Sequence, residues 1–272
     1  MEQVINTQEI DAKTTNTAQY TIRQIVGLWL AAGVPMWVLG WLVYPAVTKG
    51  MDLVDAGLWR FRLFTFGLIW QFILSMIILY REEGNIRLET IGRRFWLNNP
   101  ISPKTGEKNN RLWWLLFPFA LLIAALEGGI SPILNSWWTT VFPFLAEPPG
   151  YAAQTLFSPE LKTQFVGDWG LLGIMLIMVT FNTFLGEEFL FRGVLLPKMQ
   201  GVFGKWDWVA NGVGFACYHL HQPWGLPGNI LTGLVLAFTG KQYRTNWFPI
   251  ILHSLQSFIV IFLVLGLILG LL

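Results

Sequence analysis

The sequence predicts an all-α, polytopic transmembrane helical bundle, and three observations carry that prediction. Hydrophobic residues make up 54% of the 272-residue chain and charged residues only 12%, about half the charged share of a soluble domain. The 18 basic and 16 acidic side chains are too few to cover a water-facing surface of this size. The 15 Trp and 21 Phe suit a lipid-facing body with aromatic residues at its interfaces. A formal charge of +2 is too small to suggest a nucleic-acid partner, and no basic cluster with interleaved aromatics lies outside the loops expected in the cytoplasm. The single cysteine, Cys217, forbids an intrachain disulfide.

The elements follow in order. Residues 1–23 are polar, lack the apolar core of a signal peptide, and are expected as a cytoplasmic tail. Apolar runs at 24–48, 61–80, 112–130, 170–196, 207–221, 226–240 and 248–272 give seven candidate spans, with an eighth open. Pro35 and Pro45 should kink the first, and the fifth and sixth are short. The stretch 131–147 is apolar but broken by Pro132 and Pro143, so it reads as an interfacial or re-entrant piece. Residues 24–165 form an N-terminal set of helices that includes the loop 81–111, and 166–272 form a second unit.

Positive charge in short loops sets orientation. Loop 81–111 carries seven Lys/Arg against four acids; 197–206 has Lys198 and Lys205, and 241–247 has Lys241 and Arg244, without acids. The stretch 131–169 has only Lys162 against Glu147, Glu160 and Asp168. Seven spans then place the N-terminus in the cytoplasm and the C-terminus outside, in an integral protein of the cell membrane.

A charge near the bilayer centre costs at least a few kcal/mol, so ionisable residues within spans are functional candidates. Glu127 ends its run beside Gly128 and Gly129 and reads as an outer-interface carboxylate. Glu188 and Arg192 are four apart on one helix face, acid first, and can neutralise each other. Glu187 is rotated by about 100° from that pair and keeps no in-helix cation, which suits it to general-base work on a water. Glu187 lies about 15 Å and His219 about 18 Å from the same side by helix rise, and His253 about 8 Å. Phe215, four residues before His219, could fix its imidazole. His221 should point away from His219 and precedes Gln222-Pro223, so it reads as interfacial. There is no His-Glu-x-x-His or Gly-x-Ser-x-Gly, and Val166-Gly167-Asp168 lacks the first glycine of a Gly-x-Gly-Asp motif.

These residues resemble the CPBP family of intramembrane proteases, which includes type II CAAX prenyl endopeptidases and bacteriocin-processing, ABI-type proteins. Its Glu-Glu-x-x-x-Arg motif is similar to Glu187-Glu188 with Arg192, its Phe-x-x-x-His motif to Phe215 and His219. Its third motif, His followed four residues later by Asn or Asp, is matched at His253, where Ser257 stands with Gln256 beside it. The resemblance covers roughly 170–260 and makes 166–272 the catalytic core. It implies peptide-bond hydrolysis in a water-filled cavity open to the cytoplasmic side. Glu187 with His219 would activate water, His253 with Ser257 or Gln256 would bind the oxyanion, and Glu188 with Arg192 would position Glu187. One Glu and two His could ligate Zn²⁺, but two carboxylates and two histidines also complete an acid–base site without a cofactor, which is the preferred expectation. The implied partners are membrane lipid and a peptide or protein substrate, lipidated ones included. The competing class is a non-catalytic immunity factor, chaperone or carrier on the same bundle, favoured by Ser257.

Overall fold

In the computed structural model the described residues are 18–149, 151 and 162–271. The expected tail lies outside them up to residue 17, as does Glu160 of the charge count. Eight helices of at least seven residues are present among them, with no strand. They are α1 (Ile22–Val47), α2 (Leu53–Glu83), α3 (Leu88–Arg94), α4 (Asn110–Val141), α5 (Trp169–Lys198), α6 (Asp207–Tyr218), α7 (Leu226–Tyr243) and α8 (Trp247–Ile268). Five of these, α1, α2, α4, α5 and α8, are long and apolar enough to cross a membrane.

Local chemistry explains the ends. Thr21 and Gln24 form a capping box that starts α1, and the Asp52 carboxylate accepts from the amides of Val54 and Asp55 to start α2. Neither Pro35 nor Pro45 breaks α1, because the chain widens to π winding at Leu39–Val43 between them. The same device corrects the expectation for 131–147. A π stretch at Leu126–Ile130 precedes Ser131-Pro132, so the proline falls where its missing N–H does no harm, and α4 continues to Val141.

The predicted fifth and sixth spans form a hairpin. Helix α6 has 12 residues, about 18 Å of rise, too short to cross a hydrocarbon core of about 30 Å. Its carbonyl-rich exit turn is held by indoles from elsewhere: Trp41 Nε1 donates to Leu220 O at 3.0 Å and Trp138 Nε1 to Pro223 O at 3.1 Å. Helices α6 and α7 touch backbone to backbone, for a Cβ on Gly212 would lie 2.9 Å from the Gly233 carbonyl and one on Gly233 2.8 Å from the Gly212 oxygen. Gly212→Ala should therefore force the helices apart and destabilise the protein by about 1–3 kcal/mol, read as a lower Tm in detergent. An unchanged Tm would count against this close packing.

All three basic segments gather at one end. The Ile101 amide donates to Tyr243 O at 2.8 Å, that of Asn246 to Trp96 O at 2.8 Å and that of Tyr20 to Lys198 O at 2.9 Å. Arg94 and Lys198 both meet the Glu82 carboxylate, at 2.9 and 3.2 Å. At the opposite end the Gly167 amide donates to Ile268 O at 2.9 Å.

Candidate active site

Helix α5 carries Glu187 and Glu188 between two π stretches, Phe181–Gly186 and Phe189–Leu195. Such wide turns recur at functional sites because they re-aim side chains without ending the helix. Gly186 lets α5 press on α2, where an added Cβ would lie 2.8 Å from Leu68 O. Both carboxylates are buried, with Glu187 2% exposed.

Two further elements, the end of α6 and α8, converge on them. His219 Nε2 lies 3.7 Å from Glu187 Oε1, and His253 Nε2 lies 3.9 Å from Glu187 Oε2. The far nitrogen of each ring is held, His219 Nδ1 by Phe215 O at 2.9 Å and His253 Nδ1 by Glu188 Oε1 at 2.9 Å. Arg192 Nη1 donates to the same Glu188 oxygen at 3.2 Å and Nη2 to Gly233 O at 3.3 Å, while its guanidinium lies 4.0 Å from the centre of the Phe215 ring. The Glu188–Arg192 pair therefore grips His253 directly. Phe215 packs edge to face on His219 at 4.8 Å. All four predicted catalytic residues and two of the three predicted supports, Arg192 and Phe215, thus meet in one place.

Two polar candidates sit elsewhere than expected. Because α6 stops at Tyr218, His219 is its C-cap and the chain turns before His221. The expected opposition of the two rings is lost. His221 is 3% exposed and stacks on His219 at 5.5 Å, and it lines the same cavity instead of an interface. Glu127 also faces this cavity, accepting from Thr232 Oγ1 at 3.1 Å, not the outer surface. At the third motif Ser257 is buried away from the cavity, whereas Gln256 lines it.

Residues not singled out from the sequence complete the shell. Gln71 Nε2 donates to the Tyr218 hydroxyl at 2.7 Å, which leaves the phenolic proton for Glu187. Asn246 Nδ2 donates to the Glu188 carbonyl at 3.0 Å. Gln71 had a legible signal, an amide inside an apolar span; Asn246, in a polar loop, had none.

The cavity has a volume of about 500 Å³. Its lining includes Glu187, His219 and His253 at the inner end and Leu53, Gly57, Arg60, Glu147 and Tyr151 at the other, with no residue from 81–111, 197–206 or 241–247. It therefore runs away from the basic end, contrary to the expected opening beside the basic loops. On the basic side Phe95 is fully buried against Gly193, and Arg94 donates to the carbonyls of Gly193 and Val194 at 2.9 and 3.3 Å. Among the described residues, no group of three or more His, Cys, Asp or Glu is disposed to hold a metal ion.

The fold and site define a membrane-embedded helical protein with a paired-carboxylate, two-histidine centre inside its bundle. Residues 169–259 match the family model described as Type II CAAX prenyl endopeptidase Rce1-like. The matched third of the chain contains Glu187, Glu188, Arg192, Phe215, His219, His253 and Ser257, so the likeness spans all the residues that carry the resemblance noted in the sequence. No curated protein and no solved structure matches the chain significantly.

Proposed function

We propose that the protein is an intramembrane endopeptidase that hydrolyses a peptide bond with a water activated by Glu187 and His219. The observation that carries this reading is that the two Glu187 oxygens each face one imidazole, at 3.7 and 3.9 Å. These gaps are too long for direct hydrogen bonds, yet a water about 2.8 Å from both partners fits beside either of them.

Hydrogen-bond partners assign the roles. His219 Nδ1 faces a carbonyl and must carry its proton, so Nε2 is an acceptor for a water proton. Glu187 takes the proton as the water oxygen bonds to the scissile carbonyl carbon. His253, as the imidazolium paired with Glu188, donates Nδ1–H to that carboxylate and offers Nε2–H to the oxyanion, and Gln256 is the second donor, each worth about 3 kcal/mol. Collapse breaks the C–N bond, and Glu187 returns the proton to the leaving amine.

The basic end is assigned to the cytoplasm, which puts residue 18 on that side. The cavity then receives a peptide or protein segment, lipidated or not, from the opposite side or from the surrounding lipid. No nucleic-acid partner is assigned.

Incubating membranes with wild type and with Glu187→Gln and comparing peptide termini tests this function. New termini dependent on Glu187 are expected; identical termini would favour a non-catalytic carrier or immunity factor. Elemental analysis tests the metal-free chemistry. Active, detergent-purified protein is expected to hold far less than one Zn²⁺ per chain, and one zinc lost together with activity in His219→Ala and His253→Ala would replace water activation by Glu187 with activation by the metal.

A further inference from the structure

A second polar feature lies in the same cavity, at the end away from Glu187. Arg60 is the one Lys or Arg among the described lining residues, and it is 7% exposed. A guanidinium carries five N–H donors. Among the described residues Arg60 makes no hydrogen bond, and its nearest anion is Glu147 Oε1 at 4.0 Å. Instead three rings surround it, Tyr151 at 5.2 Å, Phe64 at 5.4 Å and Trp224 at 5.8 Å. Rings attract the charge but leave most donors unspent. Burial holds the Glu147 carboxyl above the usual carboxylate range despite the opposing pull of Arg60, which marks a loose pair.

We propose that Arg60 is an anion subsite of the substrate cavity and takes a carboxylate of the bound peptide, about three or four residues from the cleaved bond. The spacing comes from α2. Eight residues, about 12 Å of rise, separate Arg60 from Leu68. The Leu68 carbonyl abuts Gly186, next to Glu187. An extended peptide covers that distance in about three or four residues at about 3.3–3.6 Å each. The acids among the described lining residues, Glu127, Glu147 and Glu187, disfavour a substrate carboxylate near them, and away from the imidazoles around Glu187 the cation that faces the cavity is Arg60. That contrast fixes the direction and register of the peptide. The subsite rests on the peptidase reading for its purpose but can be judged without cleavage.

The test uses a pool of random-sequence peptides in which every Asp or Glu peptide has an Asn or Gln twin and every free C-terminus an amidated twin. The pool is offered to the full-length Glu187→Gln protein in detergent, and retained peptides are identified by mass spectrometry. Carboxylate members should be retained at least about tenfold over their twins, and the twin series that shows the bias identifies a side chain or a chain terminus as its source. Adding Arg60→Gln should bring the ratio to about one, while Arg60→Lys, a charge without the planar fork, should keep part of it. Equal retention of twins, or the same bias without Arg60, overturns the subsite. Should Arg60→Gln not fold, Trp224→Leu, which opens one wall and keeps the cation, should reduce the ratio several-fold, and an unchanged ratio there overturns it too. Wild-type protein that cuts no member of the pool overturns the peptidase reading alone, because retention still decides the subsite.

Discussion

Replacing Glu187 by Gln should lower peptide hydrolysis by about a thousandfold, within the range that a positioned acid–base group supplies, without lowering Tm. The side chain keeps its shape and loses the ability to take a proton. Because Glu187 has no hydrogen-bonded cation and stands 3.7 and 3.9 Å from its two imidazoles, the neutral amide strands no partner. His219→Ala and His253→Ala should fall to similar rates, since each removes one side of the water's surroundings. The measurement is initial rate against a cleaved peptide beside a melting curve for each variant. Wild-type turnover by any of the three would remove that residue from the chemistry.

The largest stability effect should come from Arg192→Met. Arg192 is fully buried, and its guanidinium joins Glu188, the Gly233 carbonyl of α7 and the Phe215 ring. Without it the Glu188 charge keeps only His253 as a partner in low dielectric, and breaking comparable buried pairs costs about 3–5 kcal/mol. Glu188→Gln with Arg192→Met should be milder than the two single losses combined, with a coupling of about 0.5–3 kcal/mol, because it removes both charges. Strict additivity in denaturant unfolding would argue against a direct pair. The double variant should still hydrolyse slowly, since His253 would lose the Glu188 carboxylate that orients it.

What could be read in advance was whatever is local along the chain. Ionisable groups in apolar runs marked Glu187, Glu188, Arg192, His219 and His253, and their helical spacing paired Glu188 with Arg192 correctly. The placement of His221 failed for a tertiary reason. Nothing in Phe215–Gln222 stops a helix, and the stop at Tyr218 depends on donors from α1 and α4, which no window of sequence contains. Glu127 failed similarly, because its partner Thr232 lies 105 residues away. Continuity of α4 through Pro132 was hidden because an α-helical reading has no place for a π turn. Tyr218 reads as an ordinary aromatic until Gln71 of α2 is brought against it.

The indoles over the exit turn of α6 bear on how water is shared inside the protein. A helix that ends within a bundle exposes carbonyls that lipid cannot satisfy, and internal water is the usual remedy. Trp41 and Trp138 each supply one N–H and no acceptor, so they quiet the Leu220 and Pro223 carbonyls without creating a new thirst beside His219. The turn that delivers His221 and Gln222 to the cavity lining is thus satisfied by protein donors at its Leu220 and Pro223 carbonyls. Two tryptophans that look from the sequence like membrane-surface anchors also seal irregular backbone beside the site.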